Sequence, residues 1–583
     1  MLGLLTPIAS AQDEPPGDAR LAGLSVRYFN ETWRLEPIRA TEMGVHYYDD
    51  RLPDLSAAGY ATRIAFTRKL LGELRDIDPT TFGAEGSYDA RILQARLEST
   101  LVSLQQRETW KHNPALYSGQ AASAIFSLLE RDYAPLRERL RAAIAREREI
   151  PALLDDGRQN VTTVDAVTGQ LAKAEIAGSR DFFEHVVPAA FAGLRDAKLQ
   201  AEFNESNRTV VEALAAFQTA MDAGPLLHPA GTYAIGTPLF ARLLELQELA
   251  PLSPADYERA GETALAQTKA DFVAVARAID PAKTPQAVAG ELGAHHPAAA
   301  DLLKTASDDV VALRRFVVAH KILDLPADDD VKVVATPEFA RETTFASMNA
   351  PGPLEKTATQ AFYNVTPADP DWPAQRREQH LAYFNDYAFP IVSLHEVYPG
   401  HYANFAIDRH LRLSAIRKLI VSGSFAEGWA HYDEQMMVDE GWGNGDPHVR
   451  LAQLQLALQR ECRLLVGLRE HTQGMSVDAG TRFFEENAFM AHEPAHREAL
   501  RGTQDPLYGY YTLGKLEILK LRDDYKAKLG RNYTLEGFHD ALLAHGDPPL
   551  TILRKILLGA DDDGKLLSSA PGVPDKESRG RAE

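Results

Sequence analysis

The chain of 583 residues has a single cysteine, Cys462, which excludes an intrachain disulfide and a metal cluster held by thiolates. Cys462 is expected to behave as a small buried hydrophobe. Positive charge is also scarce: 62 Lys and Arg stand against 82 Asp and Glu, a formal net charge of −20. Nucleic acid and anionic membrane surfaces are therefore poor partners, since both are bound by neutralising phosphate. Long apolar runs are missing, so no membrane span is expected. Fixed-period repeats and low-complexity linkers are missing too, and nothing divides the chain into independent domains.

What remains is ordinary globular composition, 45% hydrophobic and 25% charged, enough for a large core. The opening "MLGLLTPIASAQDEPPGD" joins a short apolar stretch to Ala9-Ser10-Ala11, a small-x-small pattern. Residues 1–11 are read as the tail of an export signal, which implies a periplasmic or secreted protein. The alternative is a disordered terminus of a cytoplasmic one.

Most of the chain has helical periodicity. "YDARILQARLESTLVSLQQRETW" and "APLRERLRAAIAREREIPALL" place apolar residues three and four apart among strong helix formers. "AAFAGLRDAKLQAEFNESNRTVVEALAAFQTAM" continues the pattern, and "SPADYERAGETALAQTKADFVAVARAI" opens on a Ser-Pro start signal. The exception is 331–366, where "VKVVATP" and "QAFYNVTP" flank the Gly/Pro-rich "NAPGPLEK" and predict a small strand pair. Helices return from Pro390 to about Leu558, and the polar tail 561–583 is expected to be disordered. The fold class is mainly α, one catalytic-size domain over about 25–560 with a small β element.

The chemistry concentrates in "SLHEVYPGHYANF", residues 393–405. His395 and His401 flank Glu396, as in a zinc hydrolase, but stand six apart rather than four. At about 100° per residue, six steps turn roughly 240°, so a straight helix would point the two imidazoles apart. Pro399 removes the amide that would bond the carbonyl of His395, and Gly400 relaxes the backbone, so a break here could rotate His401 back. Glu396 would then stand ready to take a proton from water. Downstream, "GSFAEGWAHYDEQM" offers Glu427 as a third ligand. Ser424-x-x-Glu427 equally fits a capping box, and spacing does not choose between them. His431, one turn on, is a candidate to orient a ligand or to be one.

"HEVYPGH" followed by "EGWAHYDEQM" resembles the signature of the family known as domain of unknown function 885. Its bacterial members are similar to helical zinc peptidases of the thimet oligopeptidase and carboxypeptidase Taq type. "RATEMGVHYYDDRLPDLS", "VTPADPDWPAQRREQHLAYFNDYAFPIV", "REALRGTQDPLYGYYTLGKLEILKLRDDY" and "FHDALLAHGDPPL" extend the resemblance over roughly 25–560. It implies a large helical peptidase-like bundle with a central channel. It also implies one zinc ion per chain, held by His395, His401 and Glu427, with Glu396 as general base. Relatives often carry an aliphatic residue where this chain has His431.

An oxyanion donor is also needed, and Tyr510 and Tyr511 are candidates, of which the resemblance favours Tyr511. Arg497 and Arg501 are candidates to hold a substrate carboxylate, or are surface ion-pair partners. His539 and Tyr363 are further substrate-binding candidates, and the strand bearing Tyr363 is a candidate to pair with an extended peptide. The expected function is a zinc-dependent peptidase acting on short peptides. The alternatives are a zinc amidohydrolase for a non-peptide or modified amide, and a non-catalytic peptide-binding protein.

Overall fold

The computed structural model describes residues 15–249, 252–337, 341, 344–559 and 567. The expected export segment, 1–11, lies outside them, as does the tail from 561 apart from residue 567. Helices dominate, and their ends follow local chemistry. Ser253 accepts a hydrogen bond from the Asp256 amide and opens the helix Pro254–Ile279, as the Ser-Pro signal implied. The long helix at "AKLQAEFNESNRTVVEALAAFQTAMDA" starts only at Ala197, capped by Asp196; the "VPAAF" before it is a separate short helix, Val187–Phe191. Among the described residues no helix is long and apolar enough to cross a membrane.

The two expected strands exist as β1 (Val331–Ala335) and β3 (Ala361–Val365), paired in parallel. Between them in sequence lies a third, β2 (Ala346–Asn349), antiparallel to β3, so the order is β1-β3-β2. "ASMN" has no β-branched residue and sits beside Gly and Pro, so local pattern did not reveal it. β3 is central, with partners on both sides; β2 is an edge.

The buried apolar clusters cut across chain order. Leu21 and Leu93 pack in one cluster with Ile416 and Ile552. Phe240 and Phe272 share another with Leu458 and Leu513. Each such side chain contributes about 1.5–3 kcal/mol on burial, so distant segments are held together by the same term that folds each of them.

Some buried groups work against stability. Glu470 is 1% exposed, neither carboxylate oxygen has a hydrogen-bond partner, and burial pushes its carboxyl up to about 9. A carboxyl raised in the folded state favours folding fully below its unfolded pKa of about 4.3, and that contribution is lost as pH rises towards the folded value. The wild-type melting temperature should therefore fall between about pH 5 and 9 relative to Glu470→Gln. Parallel melting curves for the two proteins across that range would refute this.

Candidate metal centre

The first motif helix, Phe389–Glu396, ends at Glu396, and a second, His401–Asp408, begins at His401. The break is complete rather than a kink: Val397 to Gly400 form a loop with a cis Tyr398–Pro399 bond. The loop folds back so tightly that a Cβ on Gly400 would lie 1.9 Å from the carbonyl oxygen of His395. Only glycine fits there. The Gly400 amide donates to the Leu394 carbonyl at 3.1 Å, and the Ala403 amide to Val397 at 3.1 Å, which stitches the two helices together. Their imidazoles end edge to face, ring centres 4.8 Å apart.

Glu427 comes from the helix Gly423–Asp439, whose N-cap is Ser422 and not Ser424. The capping-box alternative is thus not realised, because Ser424 lies inside the helix and its hydroxyl bonds Glu248. Glu427 instead turns towards the histidines, its Oε2 3.5 Å from His395 Nε2 and 3.4 Å from His401 Nε2. Trp429 of the same helix ties it to the loop by donating from Nε1 to the Pro399 carbonyl at 3.0 Å. The helix Tyr510–Leu529 packs against it backbone to backbone: a Cβ on Gly428 would lie 2.5 Å from the Gly514 Cα. That contact brings Tyr511 over the cluster. His395, His401, Glu427, Glu396 and Tyr511 line one cavity of about 380 Å³ with Ser347, Met348 and Ala350 of the β2 region.

The three inner side chains fit a zinc ion. Bonds of about 2.0–2.1 Å in a tetrahedron give ligand–ligand edges of about 3.3–3.4 Å, close to the two distances to Glu427. Glu427 Oε2 is buried and makes no hydrogen bond of good geometry, so its lone pair is open to a cation between the histidines. Burial opposes charge on Glu427, but His401 and His395 hold its carboxyl well below the usual range. Burial likewise opposes protonation of His395, yet Glu427 and Glu434 outweigh it and raise the imidazole.

Glu434 is the residue behind the cluster that sequence reasoning missed. It is fully buried, and its Oε1 lies 2.8 Å from His395 Nδ1 and 3.0 Å from Arg460 Nη2. A carboxylate can only accept, so His395 Nδ1 carries a proton towards Glu434, and the neutral imidazole would turn the Nε2 lone pair to the metal position. Seven residues separate Glu427 from Glu434, two helical turns and so one face; that spacing was the available signal. His431 is not in the ligand cluster. Burial holds it near 3, hence neutral, and Nδ1 donates to Glu434 Oε2 at 3.2 Å. Glu434→Gln should weaken zinc binding about 10- to 100-fold in a chelator competition. Unchanged affinity would remove Glu434 from the site.

The remaining candidates divide. Glu396 Oε2 accepts the Met348 amide at 2.8 Å, which fixes the carboxylate against the edge of β2. Arg501 donates from Nη2 to the Tyr511 hydroxyl at 3.2 Å, while Arg497 lies exposed on the same helix, His492–Gln504. Tyr510 stacks on Tyr511 at 4.8 Å and backs Gly423 without lining the cavity. Two expectations are corrected. His539 is a core residue, held between the Tyr432 hydroxyl at 2.9 Å and the Ile322 carbonyl at 2.7 Å, with burial keeping it near 3 and neutral. Tyr363 is buried with its hydroxyl 3.1 Å from Ser393 Oγ. β3, having two partners already, cannot add a peptide strand; of the two edge strands, β2 is the one beside Glu396.

Fold and site together define a mainly helical protein with a candidate two-histidine, one-glutamate metal centre and an adjoining carboxylate. The chain belongs to the family described as bacterial protein of unknown function (DUF885), whose profile matches residues 37–557. No curated protein shows significant similarity to it. Two solved structures share the fold. One is a candidate lipoprotein of unknown function from Shewanella oneidensis, with TM-score 0.78 and 24% identity over 92% of this chain and 99% of that one. The other is a candidate lipoprotein from Colwellia psychrerythraea, with TM-score 0.74 and 17% identity over 93% of this chain and 99% of that one.

Proposed function

We propose that the protein is a zinc-dependent peptidase that hydrolyses short peptides. The observation that carries this reading is the gathering of a three-ligand cluster, the separate carboxylate Glu396, the Tyr511 hydroxyl and a sheet edge around one cavity. Zinc held by His395, His401 and Glu427 would supply Lewis acidity to water and carbonyl oxygen. Glu396 takes the proton of the attacking water and returns it to the leaving amine. It is held for this by the Met348 amide and is left out of the ligand cluster. The Tyr511 hydroxyl accepts from Arg501, so its own hydrogen is free to donate to the developing oxyanion.

The edge strand favours a peptide over another amide. The Thr366 amide bonds the Phe345 carbonyl, so alternation turns the backbone of residues 346 and 348 away from β3, towards the side where Glu396 sits. An extended substrate beside β2 would find backbone partners there. A non-catalytic peptide binder has no need of a carboxylate placed beside the ligands. The site of action we propose is outside the cytoplasm, on the small-x-small pattern at Ala9–Ala11 and the lipoprotein descriptions of the structural relatives.

The test is a digest of a mixed synthetic peptide pool, read by mass spectrometry, with zinc-loaded protein and with chelator-treated protein. Cleavage that zinc restores is the expected result. No cleavage by protein holding one zinc per chain would overturn the reading.

A further inference from the structure

Beside the cavity stands an arginine that feels Glu498 and Asp505 electrostatically but, among the described residues, is gripped by no carboxylate. Arg501 sits in the last turn of His492–Gln504, exposed, with its guanidinium carbon 5.9 Å from the rings of Tyr508 and Tyr511. Among the described residues it is Nη2 that hydrogen-bonds, to the Tyr511 hydroxyl at 3.2 Å. Among the described residues no carboxylate lies in ion-pair distance of Arg501. Arg463 next to it is the contrast. Its Nε and Nη2 grip Glu498 at 2.6 and 2.8 Å, and it covers the Tyr511 ring at 5.0 Å. One arginine is saturated by a carboxylate from the protein; the other keeps its fork open at the residue that lines the metal cavity.

A guanidinium fork binds a carboxylate through two parallel bonds, a geometry that neutral amides do not satisfy. We infer that Arg501 holds a carboxylate of the peptide substrate beside Tyr511. This rests on the peptidase reading and refines it. An extended residue spans about 3.3 Å, so a carboxylate held next to Tyr511 sits close to the scissile bond. If that carboxylate is the terminal one, the enzyme trims peptides from the carboxyl end. If it is an Asp or Glu side chain, the enzyme cuts next to acidic residues. Hydrolysis itself is unchanged: the C–N bond breaks, the acyl carbon gains hydroxyl and the amine gains the proton.

Binding and cleavage are measured separately. Zinc-loaded Glu396→Gln is titrated by calorimetry with a short peptide as free acid, as C-terminal amide, and as amide carrying Glu at its last position. The same titrations are run on Glu396→Gln/Arg501→Gln. The free acid should bind about 10- to 100-fold more tightly than the plain amide, and the second substitution should erase that difference. The Glu-bearing amide tells the two carboxylate sources apart: weak binding selects the terminus, tight binding the side chain. Equal affinity for all three peptides overturns the anchor. So does a result in which Arg501→Gln in the wild-type background lowers kcat equally for acid and amide without changing KM, since Arg501 would then only orient Tyr511. Absence of cleavage by zinc-loaded wild type, with the binding preference intact, would remove the peptidase reading and leave the carboxylate site standing.

Discussion

Glu396→Gln should lose turnover by about 10²- to 10⁴-fold while keeping one zinc per chain. The amide side chain preserves shape and can still accept the Met348 amide, which now donates to Glu396 at 2.8 Å, so the backbone of β2 stays in place. What disappears is basicity. Glu396 is not one of the three side chains gathered as ligands, so metal content should not change. Zinc is measured by mass spectrometry of the purified protein, and turnover on whichever peptide the pool identifies. Full activity in the variant would end the assignment of Glu396 as base. Loss of zinc along with activity would mean instead that Glu396 is a ligand.

Gly514→Ala should damage stability, zinc affinity and turnover together, although residue 514 is no ligand. A Cβ there would stand 1.7 Å from the Ser424 carbonyl oxygen and 2.8 Å from the Gly428 Cα. Both are backbone atoms and cannot rotate aside. The helices Gly423–Asp439 and Tyr510–Leu529 must separate, at a cost of about 1–3 kcal/mol or more for overpacking. Glu427 rides on one of these helices and Tyr511 on the other. A shift of about 1 Å between catalytic groups is enough to cost about 10²-fold in rate. Unchanged melting temperature and zinc affinity would show that the close approach is not what sets the geometry.

How much was legible depended on whether a residue's role is local. Helical periodicity and the Ser-Pro start at 253–254 are local, and the helix Pro254–Ile279 follows them. So is the helix break, because Pro399 and Gly400 act on their immediate neighbours. The fate of Glu427 was not local: Ser424-x-x-Glu427 satisfied a capping rule as well as a ligand rule. The choice came from where the preceding turn placed Ser422 as cap. β2 was missed because "ASMN" has no strand propensity of its own; β3 supplies its pairing. His539 and Tyr363 looked functional because polar aromatics near motifs invite that reading. Burial and satisfied hydrogen bonds account for both.

By itself the sequence determined a mainly helical chain, its family, and a histidine pair interrupted by a built-in break. Those properties reside in short-range chemistry: side-chain periodicity, one proline, one glycine, and residue types at fixed spacing. Only the tertiary structure decided that Glu434 orients His395, that β2 pairs with β3 and lies beside Glu396, and that Arg501 rather than Arg497 meets Tyr511. Each of these is a contact between separate elements rather than within one. Its partner is chosen by how helices and strands pack, and by where a glycine lets two backbones touch, which no local pattern encodes.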